Sequence, residues 1–125
     1  MLVKTGVQAA VELVVTDADT AITWGSGDVP VLATPRLIGL CEEAAFRAVE
    51  GHVRPGETTV GLQAEFTHVA PTRIGSLVRA EATLERVDGQ RLVFTVSATD
   101  GCGLVGAGKL TRVVVDRERF LGKAR

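Results

Sequence analysis

An α+β fold, with a curled antiparallel sheet wrapped around one long hydrophobic helix, is predicted by three observations. Residues 35–50 form a single helix-period stretch that is apolar over much of its circumference. One alternating stretch precedes it, and runs long enough for four strands follow. Asp88-Gly89 and Asp100-Gly101 are tight-turn pairs that cut the later runs into hairpins. A helix this apolar needs a sheet around it, and this order of elements supplies one.

Residues 7–15 set Val7, Ala9, Val11, Leu13 and Val15 against Gln8, Ala10, Glu12 and Val14, which reads as the first strand. After Asp17 the alternation stops, and Trp24-Gly25-Ser26-Gly27-Asp28 is a Gly-rich loop whose lone Trp is expected to be a small core anchor rather than part of a lid. Val31 to Ala33 approach the helix in extended form. Thr34 is a good N-cap and Pro35 suits the first helical position, so capping alone accounts for Thr34.

Projected at about 100° per residue, the helix gathers Leu37, Cys41, Ala44, Ala45 and Ala48 on one face. Arg36, Gly39, Glu43, Arg47 and Glu50 fall on the other. Glu43 stands four residues before Arg47, the spacing of an ordinary surface pair. Glu42 lies at the apolar margin between Phe46 and Val49, so it is the carboxylate that requires an explanation. Gly51 ends the helix and Pro55-Gly56 marks a turn.

Alternation over residues 58–69 puts Thr58, Val60, Leu62, Ala64, Phe66 and His68 on one face, with Thr59, Gly61, Gln63, Glu65 and Thr67 opposite. His68 therefore shares the core-directed face. An imidazole there is either a hydrogen-bonded core residue or a catalyst, and both readings stay open. Residues 77–87, 91–99 and 104–115 supply the remaining strands. Such a sheet leaves edges that must be covered, and a homodimer is the economical cover.

At 125 residues, 46% hydrophobic and 23% charged, the chain is read as one domain spanning 1–125. A net charge of −1 and the lack of a long basic run argue against nucleic acid as a partner. Arg117, Arg119, Lys123 and Arg125 are expected in a solvated tail. The first residues lack the organisation of a signal peptide and no apolar stretch reaches membrane-spanning length, so a cytoplasmic location off the membrane is expected. Cys41 and Cys102 fit neither a disulfide framework nor a zinc motif, and neither metal nor cofactor is called for.

The element order resembles the hot-dog fold, and the local strings resemble the fluoroacetyl-CoA thioesterase branch of the hot-dog thioesterases. The resemblance is carried by Val31-Leu32-Ala33-Thr34, Ile38-Gly39-Leu40-Cys41-Glu42 and Phe66-Thr67-His68-Val69-Ala70-Pro71-Thr72. Val87-Asp88-Gly89-Gln90-Arg91-Leu92 and Val96-Ser97-Ala98-Thr99-Asp100-Gly101 add to it. It implies a homodimer that hydrolyses acyl-CoA thioesters with a threonine, a helix glutamate and a histidine, here Thr34, Glu42 and His68. It also implies acyl-CoA contact at Gly61. The best-known member of that branch carries an insertion with phenylalanines that shape a fluorine-discriminating lid. Residues 23–30 are shorter here and contain no Phe, so selectivity for the fluorinated acyl group is not expected.

Thioester hydrolysis needs a nucleophile or activated water, a proton manager and donors for the oxyanion. In the working assignment Glu42 is nucleophile or base, His68 handles the proton, and Thr34 orients the carboxylate or the carbonyl. Attack by water or by Thr34 stays equally open. Eight residues of regular helix separate Thr34 from Glu42 by about 12 Å. A non-helical approach at Thr34, a ligand or a dimer partner must therefore bridge them. Two other classes compete: a hot-dog acyl-CoA hydratase, and a non-catalytic module that binds acyl-CoA or another small ligand.

Overall fold

Residues 3–125 are described by the structure, a computed structural model. The strands are β1 Gln8–Val14, β2 Glu57–His68, β3 Leu77–Asp88, β4 Arg91–Asp100 and β5 Gly103–Asp116. They form one antiparallel sheet in the order β1-β3-β4-β5-β2. Between β1 and β2 lie a 3-10 turn at Asp17–Asp19 and the helices α1 Ala21–Trp24 and α2 Thr34–Val49, and α3 Arg117–Leu121 follows β5. α2 packs mainly on β1 and β3. Its Leu37, Leu40, Cys41, Ala44, Ala45 and Val49 are buried in one core with Ala80, Ala82 and Phe94. Alanines on both sides let helix and sheet approach closely.

Thr34 is not the helix cap. Ala33 holds that position in an extended conformation (φ −69°, ψ 137°), no side chain caps the helix, and Thr34 is already its first residue. A capping hydroxyl contributes about 1 kcal/mol, whereas each fully buried Leu or Val contributes about 1.5–3 kcal/mol. Packing therefore holds α2 in place without a cap, and the Thr34 hydroxyl is available to another partner.

A bulge in β2 overturns the simple alternation. Gly61 pairs with Arg112, but Gln63 pairs with Thr111, so Leu62 is the extra residue. Directly opposed residues of a ladder share a face, and the partners Val114, Arg112 and Leu110 all point to the core. Thr59 and Gly61 thus face the helix together with Ala64, Phe66 and His68. Thr58 and Val60 face outward, contrary to the period-two reading.

Both hairpins turn where expected. Gly89 takes a left-handed φ of 61° between β3 and β4. Asp100 Oδ1 accepts from the backbone N–H groups of Cys102 (2.8 Å) and Gly103 (3.1 Å) between β4 and β5. One sequence expectation fails at the periphery. Trp24 is 48% exposed, so it anchors no core, and its indole N–H instead donates to the Ala18 carbonyl at 2.8 Å. The basic residues Arg117, Arg119, Lys123 and Arg125 are solvated as expected, and the first two belong to a short helix, α3, which Asp116 caps by accepting from the Arg119 N–H at 2.9 Å.

β1 and β2 are the edges of the sheet. The stretch 61–65 of β2 is exposed throughout. No helix among the described residues is long and apolar enough to cross a membrane.

Candidate active site

The sequence-selected residues fall into two groups. The first lies where the end of β2 meets the start of α2. Thr34 Oγ1 and His68 Nδ1 are 2.7 Å apart, a close hydrogen bond. Backbone ties hold the two segments together, with Leu32 N–H donating to the Thr72 carbonyl at 2.9 Å and Val31 bridging to Arg73. A cavity of about 330 Å³ opens over the pair, walled by Ser26, Gly27 and Val29 of the loop and by Val69 to Pro71. The positive end of the α2 dipole also lies here.

Burial lowers the pKa of His68 below its ordinary 6.5, and an interaction with the Ala70 backbone only partly opposes this. The ring is thus neutral at physiological pH. Its other nitrogen, Nε2, is buried without a hydrogen-bond partner among the described residues. A buried orphan nitrogen is costly, which is notable beside a cavity.

The second group gathers around Glu42. An Arg112 Nη1 lies 3.7 Å from Glu42 Oε2. Gly61 sits directly against the same carboxylate, since a Cβ there would come within 2.7 Å of Oε2. Arg112 is itself held by Thr59, donating from Nε to Oγ1 at 3.1 Å and from Nη2 to the backbone carbonyl at 2.9 Å. Its guanidinium also lies 5.8 Å from the centre of the Phe46 ring. Burial lowers the Arg112 pKa, while the charge of Glu42 opposes the shift. A second groove, of about 370 Å³, is lined by Glu42, Gly61, Leu62 and Arg112.

Glu42 does not differ from Glu43 by burial, because their side chains are 44% and 41% exposed. They differ by partner. Glu43 makes the expected surface pair with Arg47 at 2.7 Å, whereas Glu42 faces a buried arginine and a glycine. Arg112 escaped the sequence reading. Its signal was present in Leu110, Arg112 and Val114, a charge in the core phase of a strand.

The two groups do not meet within one chain. Thr34 and Glu42 belong to one regular helix, eight positions apart, and they line different cavities. Cys41, beside Glu42, is not a competing nucleophile. Burial, reinforced by the Glu42 charge, pushes its thiol up to about 12. No cluster of three or more His, Cys, Asp or Glu among the described residues is placed to hold a metal.

The family model for fluoroacetyl-CoA-specific thioesterases matches residues 15–118. The fluoroacetyl-CoA thioesterase of Streptantibioticus cattleyicolor is 40% identical over 95 residues, covering 76% of this chain and 68% of that protein. A variant of the fluoroacetyl-CoA-specific thioesterase FlK, solved in complex with fluoroacetate and CoA, superposes with a TM-score of 0.87 at 33% identity. That match covers 94% of this chain and 99% of the other. A hot-dog-like protein from Thermanaerovibrio acidaminovorans, 24% identical, shares the fold with a TM-score of 0.89 over 98% of this chain and 90% of its own. With a hydroxyl–imidazole pair and a pinned carboxylate set into this curled sheet, the chain belongs to the fluoroacetyl-CoA-specific thioesterase family of hot-dog proteins.

Proposed function

We propose that the protein is an acyl-CoA thioesterase whose hydrolytic site combines Thr34 and His68 of one chain with Glu42 of a second copy. The 2.7 Å contact between Thr34 Oγ1 and His68 Nδ1 carries this reading. A neutral imidazole bonded to a hydroxyl is a base poised to activate it. Thr34 Oγ attacks the thioester carbonyl, and its proton passes to Nδ1. Glu42 of the second copy accepts from Nε2–H and steadies the imidazolium, as a carboxylate does in hydroxyl–imidazole–carboxylate triads. Collapse of the tetrahedral adduct expels CoA thiolate, which takes the proton from His68. Water then repeats the sequence and releases the free acid.

The spacing along β2 supports a homodimer. Gly61 and His68 are seven residues but, across the bulge, six ladder positions apart on β2, about 20 Å at 3.3 Å per residue. If two β2 edges pair antiparallel about a two-fold axis near Ala64 and Glu65, Gly61 of one copy falls opposite His68 of the other. Glu42 travels with Gly61. One symmetric contact therefore covers an exposed edge and completes two sites at once. Gly61, having no side chain, leaves room for the acyl-CoA to reach the carboxylate.

The substrate is read as a short or medium acyl-CoA. The complex of FlK with fluoroacetate and CoA supports acyl-CoA as the ligand class. The loop wall of Ser26, Gly27 and Val29 lacks the bulky aromatics of a selective lid, so no preference for the fluorinated acyl group is expected. Two unpaired cysteines are in keeping with a reducing, cytoplasmic setting. The decisive assay is release of free CoA thiol across acyl-CoAs of varied length and polarity. Release from at least one supports hydrolysis. Formation of a hydrated product without thiol would favour a hydratase, and tight binding without turnover a binding module.

A further inference from the structure

Asp19 is a charged residue only 6% exposed, in the segment that precedes α2, and it belongs to neither cluster described above. Its carboxyl oxygens divide their work. Oδ2 accepts from the Thr16 N–H (2.8 Å) and the Thr16 hydroxyl (3.0 Å), which closes the local turn. Oδ1 leaves the turn and accepts from Arg36 Nε at 3.0 Å. The Asp19 backbone carbonyl accepts from the Ala33 N–H at 2.9 Å. Ala33 and Arg36 bracket Thr34, so a single residue grips the chain on both sides of that hydroxyl.

Loop closure does not require the ion pair. The Thr20 hydroxyl (2.9 Å) and the Thr23 hydroxyl (2.7 Å) both donate to the Asp17 carbonyl, and the Trp24 indole donates to Ala18. None of these bonds uses the Asp19 carboxylate. Burial would raise the pKa of Asp19, but the bonds from Thr16 and Arg36 outweigh it and hold the carboxyl below its ordinary value. It is therefore ionised when the enzyme works. The Asp19 end of the pair is buried and the Arg36 side chain is 27% exposed; an ion pair taken partly out of water is an expensive way to gain stability, and its better attested use is to fix one arrangement.

We propose that the Asp19–Arg36 ion pair is a positioning device for Thr34, setting the first turn of α2 so that the hydroxyl stays in hydrogen-bond register with His68. The proposal rests on the reading of Thr34 and His68 as the hydrolytic pair. Neither Asp19 nor Arg36 lines the cavity above that pair, so both act through Thr34. Arg is suited to the task because its planar guanidinium offers Nε at a fixed angle, which a lysine ammonium cannot reproduce.

The chain has two histidines, His52 and His68, so nitrogen-15 spectra of the full-length protein resolve the His68 ring, with His52→Gln giving the assignment. Thr34→Val should displace the Nδ1 resonance by removing its partner. Arg36→Gln should displace it in the same direction, Arg36→Lys should do so less, and neither should move it further in a Thr34→Val background. In turnover, Arg36→Gln should lower kcat on the order of tenfold to a hundredfold, as a small misplacement of a reacting group does, with KM within about twofold. An unmoved Nδ1 in folded Arg36→Gln, or equal displacement with and without Thr34, overturns the proposal. If Arg36→Gln does not fold, Arg36→Lys carries the same comparison. Coupled resonances without thioester turnover would defeat the hydrolytic reading and leave the positioning intact.

Discussion

At the scale of single residues, Glu42 and Glu43 show how position and partner divide two neighbouring carboxylates. Glu43 is tied to Arg47 in solvent, while Glu42 is pinned between Arg112 and Gly61 at the rim of a groove. Glu42→Gln should lower kcat by about 10²–10⁴, the loss seen when a triad carboxylate becomes an amide. Glu43→Gln should stay near wild type, because an exposed i,i+4 pair contributes only about 0.3–0.5 kcal/mol. Equal losses in kcat from both substitutions would contradict the division. The pH profile tests His68. Its folded pKa lies below 6.5, so kcat/KM should be flat near neutrality and fall on the acid side with a midpoint below 6.5. The same depression makes stability present above pH 6.5 and progressively lost as pH falls through the folded pKa, because the unfolded imidazole takes a proton first. An acid limb centred above 6.5, or one that survives in His68→Gln, would show that another group titrates. Sequence reasoning reached Glu42 and His68 because each is a polar side chain in an apolar phase. Arg112 carried the same signal on β5 and was passed over because the strand was read for its length rather than its exceptions.

Among the elements, β2 decides how the site is built. Its bulge at Leu62 shifts the phase of the strand, so that Gly61 and His68 face the helix together although seven positions, an odd number, separate them. Period-two reading put these two residues on opposite faces, and an extra residue in a ladder is set by pairing with β5, which local alternation cannot see. Thr34 was misplaced for a related reason. A Thr-Pro pair is a good local cap, but packing of Leu37 and Leu40 fixes where the helix begins and leaves Ala33 at the cap. The strands β3, β4 and β5 were legible because both of their hairpin turns carry Asp-Gly, and the buried faces of β3 and β4 alternate over most of their length. Gly61→Ala isolates the consequence of the bulge. Its Cβ would stand 2.7 Å from Glu42 Oε2, the movable end of a side chain, and the three nearest atoms all belong to side chains. The carboxylate should yield while the fold holds, so kcat should fall at least tenfold with the thermal midpoint shifted by no more than a few degrees. A stability loss without a kcat loss would place Gly61 in the fold rather than in the site.

For the whole molecule, the arrangement of edges is the consequence of the sheet order. β1-β3-β4-β5-β2 leaves β2 unpaired on one side, and this strand carries both Gly61 and His68. A regular α2 keeps Thr34 and Glu42 on one rigid rod, about 12 Å apart, so neither element can bring the two groups together by bending. The distance was readable from sequence as soon as the helix was. Which of a ligand, an irregular helix start or a second chain spans it was not, because that depends on surfaces outside the chain's own periodicity. The regular helix removes the irregular start. Complementation between inactive variants tests the composite site most directly. Thr34→Ala/His68→Ala chains and Glu42→Gln chains, each inert alone, are unfolded together, refolded as a mixture and assayed for CoA thiol release. Random pairing makes about half of the dimers mixed, each with one intact site of two, so activity should return to about a quarter of wild type. A mixture that stays at background while mass spectrometry shows the mixed dimers would place all three residues in one chain's site and contradict the account.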